Sequence, residues 1–321
     1  MTDVARVQVV ARQIQTNIEK VIVGKSQEIE LLIAALLTEG HVLIEDVPGL
    51  GKTMLAKSLA RSLDCTFQRV QFTPDLLPSD ITGVNVFNQK SGDFEFRPGP
   101  IMTQIVLADE INRAGPRTQS ALLEAMEERT VSVDGVTRSL PRPFLVIATQ
   151  NPIELEGTFP LPEAQLDRFL LRLAIGYPKA DEEREVLRRF KSIDPLDQLQ
   201  AVASSGDISE LIAVCRSVYV SPAIETYILA IVHATRDNPL LSLGASPRAS
   251  LALYHTAQAL AAIHGRSFVI PDDVQAITAP ALSHRLILSN QARLHGKELR
   301  GVLEDVIAQV PVPVEESWSE P

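Results

Sequence analysis

Short apolar runs set off by polar turns dominate the first half of the chain, and apolar residues at helical spacing dominate the second. Val9, Ile14, Ile18 and Val21 recur at roughly helical intervals, which predicts an amphipathic helix over residues 8–21. Ile22-Val23-Gly24 interrupts it, and Gln27 to Glu39 reads as a second, more buried helix ended by Gly40. His41-Val42-Leu43-Ile44-Glu45 suits a central strand, and Lys52 to Leu63 has the spacing of a helix. Phe67 to Phe72 alternates as the next strand. Ile101-Met102-Thr103 and Ile105 to Ala108 bracket another, and Phe144 to Thr149 is a continuous apolar one. Arg117 to Glu128 reads as a helix with Leu122, Leu123 and Met126 inward, and Leu170 to Ile175 as the last strand. Apolar strands, each followed by a helix or a long crossover, predict a mainly parallel sheet covered on both faces.

Past Gly176-Tyr177-Pro178 the pattern changes. Residues 181–190, 208–218, 222–236, 247–264 and 271–288 read as helices, with Pro222, Pro247 and Pro271 near their starts, and no strand is expected among them. The expected organisation is an α/β core over residues 1–178 and a smaller helical domain over 179–321, with 303–321 as an extended tail. Two inserts interrupt the core. Residues 83–100 suggest a hairpin, and Asp134-Gly135 within 129–141 is a strong hairpin turn signal. Neither is needed for a core, so both are candidates for touching a partner or lining a pore.

Composition narrows the setting. With 321 residues, 45% of them apolar, the chain can build an ample core without a metal or a disulfide. Cys65 and Cys215 have no partners nearby in sequence and read as buried small residues of a cytoplasmic protein. The N-terminus lacks a signal-peptide pattern, and no run reaches the roughly 18 apolar residues of a membrane span. A net charge of -10 gives no general attraction to nucleic acid, and 5% aromatics give no stacking surface for single strands.

The candidate chemistry sits at strand ends. Pro48-Gly49-Leu50-Gly51-Lys52-Thr53 lies between a strand and a helix, the order a phosphate-binding loop requires. Gly49 and Gly51 let the backbone curl and aim N–H groups at an anion. Lys52 is expected to reach the β and γ phosphates of ATP, and Thr53 to place its hydroxyl on Mg2+. The first glycine of the usual motif is replaced by Asp46, at the strand end. Ile105 to Ala108 delivers Asp109 and Glu110. The first is expected to hold Mg2+, and the second to polarise an attacking water. Asn151, ending the neighbouring strand, can orient that water or touch the γ-phosphate. Arg168 and Arg248 are candidate partners for transition-state charge, one supplied by the lid in cis and one in trans by a neighbouring subunit. Glu124, Glu127, Glu128 and Arg129 read as a solvated or interface face. The six histidines show no metal-ligand grouping.

Taken together, Val21-Ile22-Val23-Gly24, Glu45 to Thr53, Leu107 to Ala114, Glu124 to Glu128, Ala148 to Pro152 and Glu163 to Phe169 resemble the AAA+ ATPases, and within them the MoxR family, over about residues 8–300. The resemblance implies a homo-hexameric ring with nucleotide between subunits. It makes Asn151 sensor 1, Arg168 the arginine finger and Arg248 sensor 2. It puts Val21 to Gly24 near adenine, with Val23 and Gly24 as nucleotide-binding residues beside a loop that runs through Met54. It also makes Asp46 a family variant, 83–100 the helix-2 insert and 129–141 the hairpin before sensor 1. Such proteins are thought to act as chaperones on protein clients, often with a partner bearing a von Willebrand factor A domain. A DNA-directed motor or regulator and a nucleotide-gated scaffold with little turnover stay open as alternatives.

Overall fold

The computed structural model describes residues 3–152, 157–191 and 194–314. Helices α1 (Asp3–Glu19) and α2 (Ser26–Leu37) precede strand β1 (Val42–Glu45), which leads into α3 (Lys52–Ser62). Then come β2 (Phe67–Gln71), the short α4 (Pro78–Thr82), the hairpin β3 (Gly83–Asn88) and β4 (Asp93–Pro98), and β5 (Ile105–Asp109). Helix α5 (Pro116–Glu128) runs into the second hairpin, β6 (Thr130–Val133) and β7 (Val136–Ser139). Strand β8 (Leu145–Gln150), α6 (Glu163–Leu166) and β9 (Leu171–Leu173) complete this half.

Five strands form one parallel sheet in the order β2-β5-β8-β1-β9. The alternation of side chains along each strand sorts the core into two layers. Val42, Ile44, Ile105, Leu107, Leu145 and Ile147 face α1, α2 and α3. Leu43, Val106, Ala108, Val146 and Ala148 face α5 and the buried rings of Phe72, Phe144 and Phe169. Strand β2 lies at an edge, which explains its polar sequence.

The second half holds α7 (Ala180–Arg189), α8 (Ser205–Arg216), α9 (Pro222–Arg236), β10 (Leu241–Leu243), α10 (Pro247–Ile263), α11 (Pro271–Leu282), β11 (Ile287–Leu288), α12 (Asn290–Leu294) and α13 (Leu299–Gln309). Proline stands in the first turn of α9, α10 and α11, where its missing N–H costs nothing. Ser204 caps α8: its hydroxyl accepts from the Asp207 N–H, and the Asp207 carboxylate accepts from the Ser204 N–H. The apolar layer under α1 and α2 continues through α8, α9, α10 and α11 as one cluster, so the helical half is fused to one face of the sheet.

Several expectations fail for identifiable reasons. Ile101-Met102-Thr103 lies outside β5, because the Gly99-Pro100 turn at the hairpin base holds it apart. The helix read over 271–288 stops at Leu282. There the chain bends so that His284 and Arg285 reach back to the carbonyls of Phe169 and Leu170. Strands do occur in this half, since β10 and β11 pair antiparallel. Residues 299–309 are helical and bury Val302, Leu303 and Val306, against the extended tail expected from 303 onward. The last part of that tail, including Ser317 and Pro321, lies outside the described residues.

Candidate functional site

The C-terminal ends of three adjacent strands, β1, β8 and β5, converge on one cleft. It has a volume of about 250 Å3, and Pro48, Gly49, Gly51, Lys52, Thr53, Met54, Asp109, Glu110 and Asn151 all line it, with Arg69 and Gln71 beside them. Crevices outside the carboxyl ends of parallel strands are where open α/β sheets bind ligands.

Gly49 and Gly51 adopt φ of 87° and 83°. A Cβ at either would meet nothing within 4 Å, so glycine serves there to permit left-handed backbone and not to save space. Gly51 stands at the N-terminus of α3 without any side-chain cap, which leaves the first-turn N–H groups available to an anion. Lys52 Nζ donates to the carbonyl of Asp46 at 2.8 Å, folded back along its own loop. Burial lowers its pKa from the ordinary lysine value, against the pull of Asp46, Asp109 and Glu110.

Asp46 has a definite structural use. Its Oδ1 accepts from the Val47 N–H at 2.8 Å, and its Oδ2 from the Gly176 N–H at 2.6 Å. The carboxylate therefore ties the start of the loop to the connection between sheet and helices, a bond that glycine could not make.

The two carboxylates after β5 are held differently. Asp109 Oδ2 accepts from Arg69 Nε at 3.0 Å and Nη2 at 2.6 Å, while its Oδ1 accepts from the Thr149 hydroxyl at 2.6 Å. Glu110 is in left-handed backbone, φ 57°, a conformation uncommon outside glycine that turns it off the strand direction. Its Oε2 accepts from Gln71 Nε2 at 2.8 Å and pairs with Arg113 Nε at 2.9 Å. Its own N–H donates to the Thr149 hydroxyl at 2.8 Å. Sequence reasoning missed Arg69, Gln71, Arg113 and Thr149. The available signal was the pair of polar residues two apart on β2, which share one face of an edge strand beside β5.

Val21, Ile22 and Met54 meet Leu196 and Leu199 in a small apolar cluster beside the loop. Val23 is half-buried next to it, and Gly24 is exposed, so close to Glu182 that a Cβ would sit 2.2 Å from the carboxyl carbon. Leu50 packs against the main core.

Arg168 and Arg248 do not line this cleft. Both pair with Glu127: Arg168 Nε lies 3.1 Å from Oε2, and Arg248 Nη2 donates to Oε1. They line a separate cavity of about 310 Å3 with Gly40, His41 and Leu170, the residues that precede β1 and β9. The phosphate loop and the two arginines thus stand at opposite ends of β1, whose four residues alone span about 13 Å. Glu127 is consequently engaged, not merely solvated, and Arg129 is bound to Glu39, donating to its carboxylate and, at 2.7 Å, to its carbonyl. Asp167 accepts from Arg285 Nε at 2.7 Å and from the Ser246 hydroxyl at 2.9 Å, which joins the segment carrying Arg168 to the start of α10 carrying Arg248.

The donor set fits a nucleotide with a divalent cation. An uncapped helix start can receive phosphate, and the Thr53 hydroxyl and Asp109 carboxylate could supply oxygen ligands of the kind that Mg2+ prefers. No group of His, Cys, Asp and Glu suited to a separate metal occurs among the described residues. None of their helices is long and apolar enough to cross a membrane. Burial pushes the Cys65 and Cys215 thiols up to about 11 and about 12, so both stay protonated and unreactive.

A parallel sheet with a phosphate-type loop after β1, paired carboxylates after β5, an amide after β8 and a fused helical lid is the α/β architecture of the AAA+ ATPases. Residues 41–171 match the family described as "ATPase family associated with various cellular activities (AAA)", and residues 233–306 match the AAA lid domain. The chain is 51% identical over 301 residues to the uncharacterized Bacillus subtilis protein YeaC, covering 94% of each. It is 43% identical to Chaperone MoxR1 of Mycobacterium tuberculosis, over 92% of this chain and 81% of that one. A crystal structure from Cytophaga hutchinsonii, described as a candidate ATPase, superposes with a TM-score of 0.91 at 38% identity over 97% of both chains. The chain belongs to the MoxR family of AAA+ ATPases.

Proposed function

We propose that this chain hydrolyses Mg-ATP in a ring of identical subunits and uses the turnover to remodel or assemble protein clients. The observation that carries this reading is the division of labour along β1. Loop, carboxylates and amide gather at one end, and the two arginines at the other. Residues 48–54 would bind the phosphates, Thr53 and Asp109 would hold Mg2+, and Val21, Ile22, Met54, Leu196 and Leu199 offer an apolar bed for the base. Bound Mg2+ neutralises charge on the transferred phosphoryl group. Glu110 accepts a proton from the attacking water, and Asn151 orients it. Gln71 and Arg113 must give up the Glu110 carboxylate for it to act.

Arg168 and Arg248 both serve a neighbour's nucleotide in this reading. That departs from the expectation of a lid arginine acting on its own subunit's loop, and it rests on their joint pairing with Glu127. A site split between copies joins them head to tail, an association that makes a ring when the rotation between copies closes; a ring of six is what the family resemblance suggests. The chaperone role, with or without a von Willebrand factor A partner, draws on the name of the mycobacterial relative and on the two exposed hairpins. Phe87 and Phe94 meet edge-on at the tip of one, and Asn85 of that hairpin bonds Asp134 of the other at 2.7 Å.

Turnover per subunit measured across protein concentration tests the core of this reading. It is expected to climb steeply as subunits assemble. Turnover independent of concentration would contradict it. A Glu110→Gln protein, held with ATP, is expected to retain a protein client in a pulldown; recovery of DNA instead would favour the DNA-directed alternative.

A further inference from the structure

Arg168 and Arg248 come from distant parts of the chain, yet their guanidinium groups converge on the two oxygens of one carboxylate. Their bases are held in place independently. Asp167, next to Arg168, is bound by Arg285, which is almost wholly buried, and by Ser246, two residues before Arg248. Arg285 also donates to the carbonyls of Asp167, Phe169 and Leu170. The two arginines therefore form a preset clamp, and Glu127 at the end of α5 fills it.

The clamp keeps excess positive charge. Arg129, Arg168, Arg248 and Arg285 line the same cavity. Arg129 shares Glu39 with Arg216, and Arg285 is matched by Asp167, so neither neighbouring carboxylate is spare and Glu127 faces both Arg168 and Arg248. The side chains of Arg168, Arg248 and Glu127 are 30%, 49% and 33% exposed, so this pairing is reachable from outside and weak enough to exchange. A terminal phosphate offers more charge and more oxygens than a carboxylate to a pair of guanidinium forks.

We propose that Glu127 is an internal stand-in for phosphate: it holds Arg168 and Arg248 in the unassembled subunit and yields them when a second copy presents its bound nucleoside triphosphate. Glu127 is then a positioning residue that sets how readily subunits engage, while the rate within an engaged ring depends on the arginines. This rests on the proposed split site and deepens it.

The test compares ATP turnover per subunit against protein concentration, at saturating Mg-ATP, for the wild type, Glu127→Gln, Glu127→Ala, Arg168→Ala and, as a control on the same helix, Glu124→Gln. With the stand-in removed, both Glu127 variants are expected to reach half-maximal turnover at a concentration about three- to tenfold lower, with the plateau preserved. Glu124→Gln is expected to overlay the wild type. An unchanged or raised half-maximal concentration for the Glu127 variants, while Arg168→Ala is inactive at every concentration, overturns the stand-in and leaves the split site intact. Full turnover by Arg168→Ala overturns the split site and the stand-in together.

Discussion

The two ends of β1 are built in opposite ways. At the C-terminal end, the functional groups are mostly backbone N–H donors and side chains within one short loop, and their conformation follows from Gly49 and Gly51. At the N-terminal end, the groups are five charged side chains, at 127, 167, 168, 248 and 285, joined by the Ser246 hydroxyl. In the proposed reading the first end receives phosphate and the second donates positive charge. A rigid strand of about 13 Å keeps them from meeting within one subunit. Each end is meanwhile satisfied internally, Lys52 by the Asp46 carbonyl and the arginines by Glu127. Under the proposed split site, a lone subunit would therefore be at rest.

Substitutions can break this contrast one end at a time. The largest effect is expected at the receptor end. Glu110→Gln removes the proposed proton acceptor while keeping the shape and the Gln71 contact, so turnover should fall by about 10²–10⁴-fold with nucleotide affinity nearly unchanged. Parallel hydrolysis and binding measurements check this, and an equal loss in both would assign Glu110 to binding.

At the donor end, Asp167→Ala leaves the Arg285 guanidinium, 3% exposed, without its carboxylate. Unfolding in urea should show a loss of about 3 kcal/mol. A neutral result would mean that the carbonyls around Arg285 suffice.

Between the ends, His41 precedes β1. It accepts from the Val146 N–H on Nδ1 at 3.0 Å, and its Nε2 lies 3.1 Å from the Met126 carbonyl, an arrangement for neutral imidazole. Burial pushes its pKa down to about 4. The unfolded chain, with an ordinary value near 6.5, binds the proton first. Stability is therefore fully present above about pH 6.5 and is lost as pH falls towards 4, by roughly 2 kcal/mol at pH 5. His284, also lowered by burial, acts in the same direction. Urea unfolding at pH 7.5 and pH 5 should show the slope, and His41→Gln should flatten it.

The smallest effect is expected for Asp46→Ala, which deletes the bond to the Gly176 N–H and should cost about 1 kcal/mol in thermal or urea unfolding. No change would make this residue a passive replacement for glycine.

The receptor end was legible in the sequence because strand, loop and helix are contiguous there, and local rules govern each. Val42 to Glu45, the two glycines and Asp109-Glu110 all fell where spacing placed them. The donor end was legible only as residue types. Nothing local to Arg248 says that Asp167 and Ser246 dock its helix beside Arg168, since that contact spans 79 residues. The same limit explains the misread helix at 283–288. His284 and Arg285 fit a helical spacing, but buried carbonyls on a distant segment require them more. It also explains α13, where Pro311 and Pro313 suggested an extended tail although Val302, Leu303 and Val306 carry a helical stripe that α9 and α11 cover.

The central claim is that one subunit's loop works with another's arginines. Mixing two inactive proteins, Lys52→Ala and Arg168→Ala, tests it most directly. Each alone should be silent, because every interface lacks either a loop or a finger. In an equal mixture, a loop from the Arg168→Ala protein meets an arginine from the Lys52→Ala protein at about one interface in four, so turnover should return to about a quarter of the wild-type value. Recovery that grows with mixing time and saturates near that level is the predicted result. Silent parents that stay silent after co-assembly, or an Arg168→Ala protein that is active on its own, would contradict the account.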